Sequence, residues 1–148
     1  MSASLFYDCY APYESYPATH HVDGDVSFGE LKKGDKLYRL IRNRGKYEMT
    51  ELTIVNRWHV ALGHYYIGCK PDKGRTLNIN FGATNISNVI QESKNDSIIY
   101  YDSSWFGTNL KSLIKHIFNL NAEEIEHLKQ QLRYYEMKQD NLLEICEI

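Results

Sequence analysis

Apolar and polar side chains alternate in short runs from Lys36 to Tyr101, and the period changes to that of a helix after Gly107. Alternation with a period of two is the mark of a strand with one buried face. It predicts strands over Lys36–Arg42, Tyr47–Val60, Tyr65–Lys70, Leu77–Phe81 and Ile98–Tyr101. Asn43-Arg44-Gly45-Lys46 and Pro71-Asp72-Lys73-Gly74 punctuate them as turns, the first with a glycine available for positive φ. Within the longest strand, Leu52, Ile54, Trp58 and Val60 share one parity and Glu51, Thr53, Arg57 and His59 the other. Strict alternation therefore predicts that the first set is core and the second is wet.

Beyond Trp105-Phe106-Gly107, Leu110, Leu113, Ile114, Ile117 and Phe118 recur at helical spacing. Asn121 is a good N-cap residue, with Glu123 and Glu124 after it in a first turn, so a second helix is expected from Ala122 to about Leu143. Its apolar positions Ile125, Leu128, Leu132 and Tyr135 form a stripe that packs on the sheet or on a second copy of the chain. Residues 1–25, with Tyr7, Tyr10, Tyr13 and Tyr16 and no clear period, read as an arm with one short strand. The expected fold is α+β: a curled antiparallel sheet or small open barrel followed by two C-terminal helices. One domain is expected over residues 1–148, divided into the arm (1–25), a β-rich core (26–102) and a helical layer (103–148).

Composition narrows the class. The chain of 148 residues is 43% hydrophobic and 24% charged, ordinary for a globular domain. No apolar run reaches the ~18 residues of a membrane span, and Met1-Ser2-Ala3-Ser4-Leu5-Phe6 lacks the pattern of a secretory signal. Cys9, Cys69 and Cys146 are scattered and odd in number, which suits a reducing cytoplasm. The abundance of Ile, Asn, Lys and Tyr matches the codon bias of AT-rich phage and low-GC bacterial genomes.

The net charge of −2 hides a partition. Residues 26–82 hold eleven Lys or Arg against five Asp or Glu, while both flanking segments are acidic. Such segregation gives a local positive field. Arg39, Arg42, Arg57 and Arg75 come from neighbouring strands and turns, and Trp58 and Tyr65 lie among them, with Trp105 at the strand-to-helix junction. Guanidinium groups grip phosphate oxygens in two places and aromatic faces stack on bases, so these seven residues are the candidate ligand-binding set. The competing reading fills the core with the aromatics and leaves the arginines as solvated edge charges. Asp102–Asn109 reads as a capping segment with a helix N-terminus behind it.

No phosphate-binding glycine loop, nucleophile elbow or HExxH is present, so an enzyme is not expected, and neither cofactor nor metal is called for. His20-His21 beside Asp23 and Asp25, and the lone His59, His64 and His116, read as surface or structural histidines.

Leu31-Lys32-Lys33-Gly34-Asp35-Lys36-Leu37-Tyr38 looks like the opening of small phage and gut-bacterial proteins that build a curled sheet and end in helices. In layout and charge placement the chain resembles the Thoeris anti-defence sponges, phage proteins that sequester cyclic nucleotide signals without cleaving them. That resemblance implies a non-catalytic, phage-encoded protein of the host cytoplasm that captures an anionic nucleotide-like ligand. The alternatives from the residues are a small-barrel DNA- or RNA-binding module and a protein inhibitor acting through the C-terminal helix.

Overall fold

The computed structural model describes residues 19–61, 64–82, 90–91 and 95–147. Its strands, in chain order, are β1 (Thr19–His20), β2 (Lys36–Asn43), β3 (Lys46–Ala61), β4 (His64–Lys70), β5 (Leu77–Gly82), β6 (Ile90–Gln91), β7 (Ile98–Tyr101) and β8 (Ser104–Gly107). They form one sheet in the order β1-β7-β8-β2-β3-β4-β5-β6. Every neighbouring pair is antiparallel except β5 and β6, where Phe81 faces Ile90 in parallel register. The seven antiparallel strands curl into a half-barrel, and one long helix, α1 (Leu110–Cys146), follows. The α+β class expected from the sequence is the one observed, and five of its strands coincide with expected runs to within a residue or two.

Two hairpins hold the register. Asn43 pairs with Lys46 across Arg44 (φ 53) and Gly45 (φ 80), a two-residue turn with both central residues left-handed, as right-twisted strands require. Asp102 (φ 52) and Ser103 (φ 59) repeat that turn between β7 and β8, where Tyr101 pairs with Ser104. The segment Asp102–Asn109, read from sequence as a helix cap, thus contains a strand. The cap itself is its last residue: Asn109 Oδ1 accepts from the Ser112 N–H at 3.1 Å.

The inner face of the sheet carries the core. Leu37, Leu52, Ile54, Ile67, Cys69 and Ile79 are buried there, with Phe106 and Ile99 from the β7–β8 hairpin. A 3-10 turn, Phe28–Glu30, adds Phe28 to that core, with its ring centroid 5.6 Å from that of Phe81. The Phe28 N–H donates to the Asp96 carbonyl at 2.7 Å, which fixes the turn from its other side. On the outer face Leu40, Ile98 and Trp105 are buried as well, and Leu113 of α1 sits over Gly107. A Cβ added to Gly107 would lie 2.9 Å from the Leu113 Cβ, so only glycine allows that approach.

The two helices expected after Gly107 are one, of 37 residues. No glycine or proline falls between Leu110 and Cys146, and nothing therefore obliges the backbone to break at Asn121. By contact the chain divides into two compact units, Pro17–Ile114, which holds the sheet, and Met1–Tyr16 with Lys115–Ile148. The expected arm lies mostly outside the described residues. No helix among the described residues is long and apolar enough to cross a membrane.

Candidate functional site

A bulge decides which side chains meet. Ile54 pairs with Cys69, but the next pair is Asn56 with Gly68, so Val55 is an extra residue on β3. One inserted residue exchanges the two faces of every position after it. Leu52 and Ile54 point inward as expected, whereas Arg57 joins them inside and Trp58 turns outward. This reverses the parity assignment for the distal half of the strand: Trp58 is outside, 37% exposed, and Arg57 is partly buried.

Inward, Arg57 is spoken for. Its Nη1 donates to the carbonyls of Gly29 at 2.7 Å and Leu31 at 3.1 Å, and its guanidinium lies 4.9 Å from the centre of the Tyr65 ring. Burial raises the Tyr65 pKa above its usual value, with the nearby Arg57 charge pulling the other way. Arg39 also faces inward, its Nε donating to Ser104 Oγ at 3.1 Å and its guanidinium 5.5 Å from the Phe106 ring centre. The two arginines share a face but none of their contacts. Neither has a carboxylate within 4 Å among the described residues.

Of the seven residues singled out from sequence, Arg39, Arg57 and Tyr65 therefore lie on the inner face, the arginines half-buried and Tyr65 fully buried, and Trp105 is buried against Tyr100 on the outer face with ring centroids 5.0 Å apart. Arg42 is exposed opposite Tyr47, beside the β2–β3 hairpin turn. Arg75 is exposed in the connection from β4 to β5. The guanidinium groups do not converge on one surface.

What the outer face of β3, β4 and β5 does assemble is a strip of three rows. In the first, Trp58, Tyr66 and Asn80 are cross-strand neighbours, and the Trp58 and Tyr66 rings are stacked, 5.0 Å apart and 15° from parallel. In the second, Asn56 and Asn78 flank Gly68. A Cβ on Gly68 would lie 2.1 Å from Asn56 Oδ1 and 3.3 Å from Asn78 Oδ1, so both amides converge over the bare backbone. In the third, Lys70 is paired with Thr53, and Lys73 and Arg75 follow in the connection. Tyr66 and Lys70 are four residues apart on one strand, about 13 Å. The strip thus runs from the partly exposed Trp58–Tyr66 pair, through amides that donate and accept, to the exposed cations Lys70, Lys73 and Arg75, with exposed Asp72 between them in sequence.

Trp58 and Arg75 of this strip were visible in the sequence. Asn56, Gly68, Lys70 and Asn78 were not assigned, though the alternation of Asn78 and Asn80 with Leu77, Ile79 and Phe81 marks them as outward. Tyr101 reaches the far side of the strip by hydrogen bonding with Asn80, and burial raises its pKa.

Cys69 lies beneath the strip on the inner face, its Sγ 3.6 Å from the Leu77 carbonyl. Burial pushes its thiol up to about 12, the Arg39 charge opposing only in part. A pKa raised in the folded state stabilises it below the unfolded value of 9.0, and that contribution is lost as pH climbs from about 9 towards 12. The denaturation midpoint is expected to fall across that window, and Cys69→Val should flatten the fall. In the native protein a thiol reagent should modify exposed Cys146 and spare Cys69.

No protein family, characterised protein or solved structure matches the chain.

Proposed function

We propose that this protein is a non-catalytic binding protein that captures an anionic, nucleotide-like ligand on the outer strip of β3, β4 and β5. The observation that carries the reading is the spacing of the strip. A stacked, outward Trp58–Tyr66 pair stands about 13 Å from Lys70, the span of a nucleoside and its phosphate. A base extends the aromatic stack, the Asn56 and Asn78 amides meet sugar and base-edge polar atoms, and Lys70, Lys73 and Arg75 neutralise phosphate. Sequestration of a cyclic nucleotide signal in a host cytoplasm, as a phage counter-defence, is the role this chemistry would serve.

A second reading has its own support, since the strip is an exposed surface: a single-stranded nucleic acid could run along it. Salt separates the two. Polynucleotide binding weakens steeply as salt rises, because each neutralised phosphate releases counterions. A small ligand with one or two phosphates responds far less.

The test is titration of the full chain with a panel of cyclic nucleotides and a short single-stranded oligonucleotide, followed through tryptophan emission. Trp58 is the solvent-accessible indole and Trp105 the buried one, so stacking should quench the former. Trp58→Ala is expected to cost about 1–3 kcal/mol of affinity, the worth of one stacked base, and to leave the fold intact. Arg75→Ala should weaken binding less, by an amount that shrinks with added salt. Equal affinity in the Trp58→Ala variant, or no binding by any member of the panel, would remove this reading.

A further inference from the structure

Beyond the strip, α1 carries two stripes of apolar side chains. Leu113, Ile117 and Leu120 are buried along one side of the helix. A second stripe of large apolar side chains is not: Phe118, Ile125, Leu128, Leu132, Tyr135 and Leu142 are 39% to 68% exposed. With Asn121 and Gln139 in the gaps, these positions alternate by three and four residues, the a and d sites of a heptad pattern, and they continue to Cys146. A soluble chain does not ordinarily leave a contiguous apolar seam of this length in water.

We propose that this seam is the contact between two copies of the chain, whose α1 helices pack antiparallel about a midpoint at Gln130. The pairing that follows is self-complementary in shape, with one like-charge meeting, of Lys129 with its own copy near the midpoint. Phe118 meets Leu142 of the second copy, Ile125 meets Tyr135, and Leu128 meets Leu132, so each layer sets a larger side chain against a smaller or equal one. The seam's polar members, Asn121 and Gln139, lie equally far from the midpoint and so face each other, sparing each an apolar neighbour. Beside the seam, Glu124 falls opposite Lys138 of the second copy, twice by symmetry. Within its own chain Lys138 lies 4.4 Å from the Tyr134 ring centre and 5.1 Å from that of Tyr135, along the seam's edge. A parallel pair would instead stack Phe118 on Phe118 and Tyr135 on Tyr135, and its helix dipoles would align unfavourably.

The mass of the full chain in solution and the distance between its two Cys146 residues test both halves of the proposal. Sedimentation equilibrium should return twice the 17.3 kDa chain mass. With Cys9 replaced by serine and a spin label on exposed Cys146, the label-to-label separation should be about 48 Å, set by the 1.5 Å helical rise. Leu128→Asp with Leu132→Asp should give the mass of a single chain while the sheet stays folded. Glu124→Lys should weaken the dimer at least tenfold, and Lys138→Glu added to it should restore the dimer. A single-chain mass for the wild type overturns the proposal, and so does a dimer whose labels lie within about two helix diameters of each other, which would mean a parallel pair.

Discussion

Phe81→Ala is expected to cost about 3–5 kcal/mol of stability, the usual range for deleting a large aromatic side chain from a packed core. Phe81 is 1% exposed and joins three parts of the inner face. It is paired with Tyr65 across β4 and β5, with the rings nearly parallel at 4.9 Å. It also meets Phe28, through which the 3-10 turn is held against the sheet. Its removal would open a cavity between elements that antiparallel pairing fixes in place, and the Phe28 turn could move inward only by giving up its bonds to Asp96 and Arg57. Denaturant unfolding should show a lower midpoint with little change in slope. Phe81→Leu, which keeps most of the volume, should lose less than half as much. A loss in Phe81→Ala below about 1 kcal/mol would mean that the turn collapses into the space, and that the inner face is less constrained than its registers imply.

The parts of this fold that were legible in the sequence are those that obey strict periodicity. β2, β4 and β5 alternate cleanly, and their inward sets, such as Leu77, Ile79 and Phe81, are inward in the structure. β3 alternates too, but the bulge at Val55 inverts its distal half, and no residue type announces a bulge there. The β7–β8 hairpin is hard to see in the sequence because Asp102-Ser103 lacks the glycine that usually signals a two-residue turn; Asp tolerates the left-handed region and Ser accepts it here. In α1, Asn121 has the chemistry of a cap without the break in backbone that would make it one. Local propensity gave β2, β4, β5 and β7, whereas the strand β8 within Asp102–Asn109 and the single helix in place of two were set by tertiary pairing and by the unbroken backbone.

The candidate site was less legible for the same reason. Charge and aromatic content located the basic region, but which arginines share a surface depends on the face each occupies. Arg39 and Arg57 were grouped with Arg42 and Arg75 by sequence, and the registers place the first two on the inner face. Conversely, the Trp58–Tyr66 stack brings together residues eight apart in sequence through one cross-strand pair. Gly68 reads as an ordinary strand glycine until the amides that lean over it are seen.

Arg57 provides the sharpest discrimination between an internal and a ligand-binding guanidinium. Arg57→Met keeps the aliphatic stem and removes the donors, and it should destabilise the protein by about 2–3 kcal/mol, in line with hydrogen bonds from charged groups. The cause is local: one nitrogen satisfies the carbonyls of both Gly29 and Leu31, and the loss leaves two acceptors with only such water as can reach them. The cation also rests over Tyr65, so its contact with that ring disappears as well. Arg57→Lys should fall between the two, since an ammonium can donate to the carbonyls but lacks the planar group that lies over the ring. Hydrogen exchange should quicken at the Leu31 amide, which donates to the Phe28 carbonyl at 3.4 Å, because the turn that Arg57 ties down would open more often. Should Arg57→Met instead leave stability untouched and abolish nucleotide binding, the guanidinium belongs to the ligand, and the outer strip is not where that ligand sits.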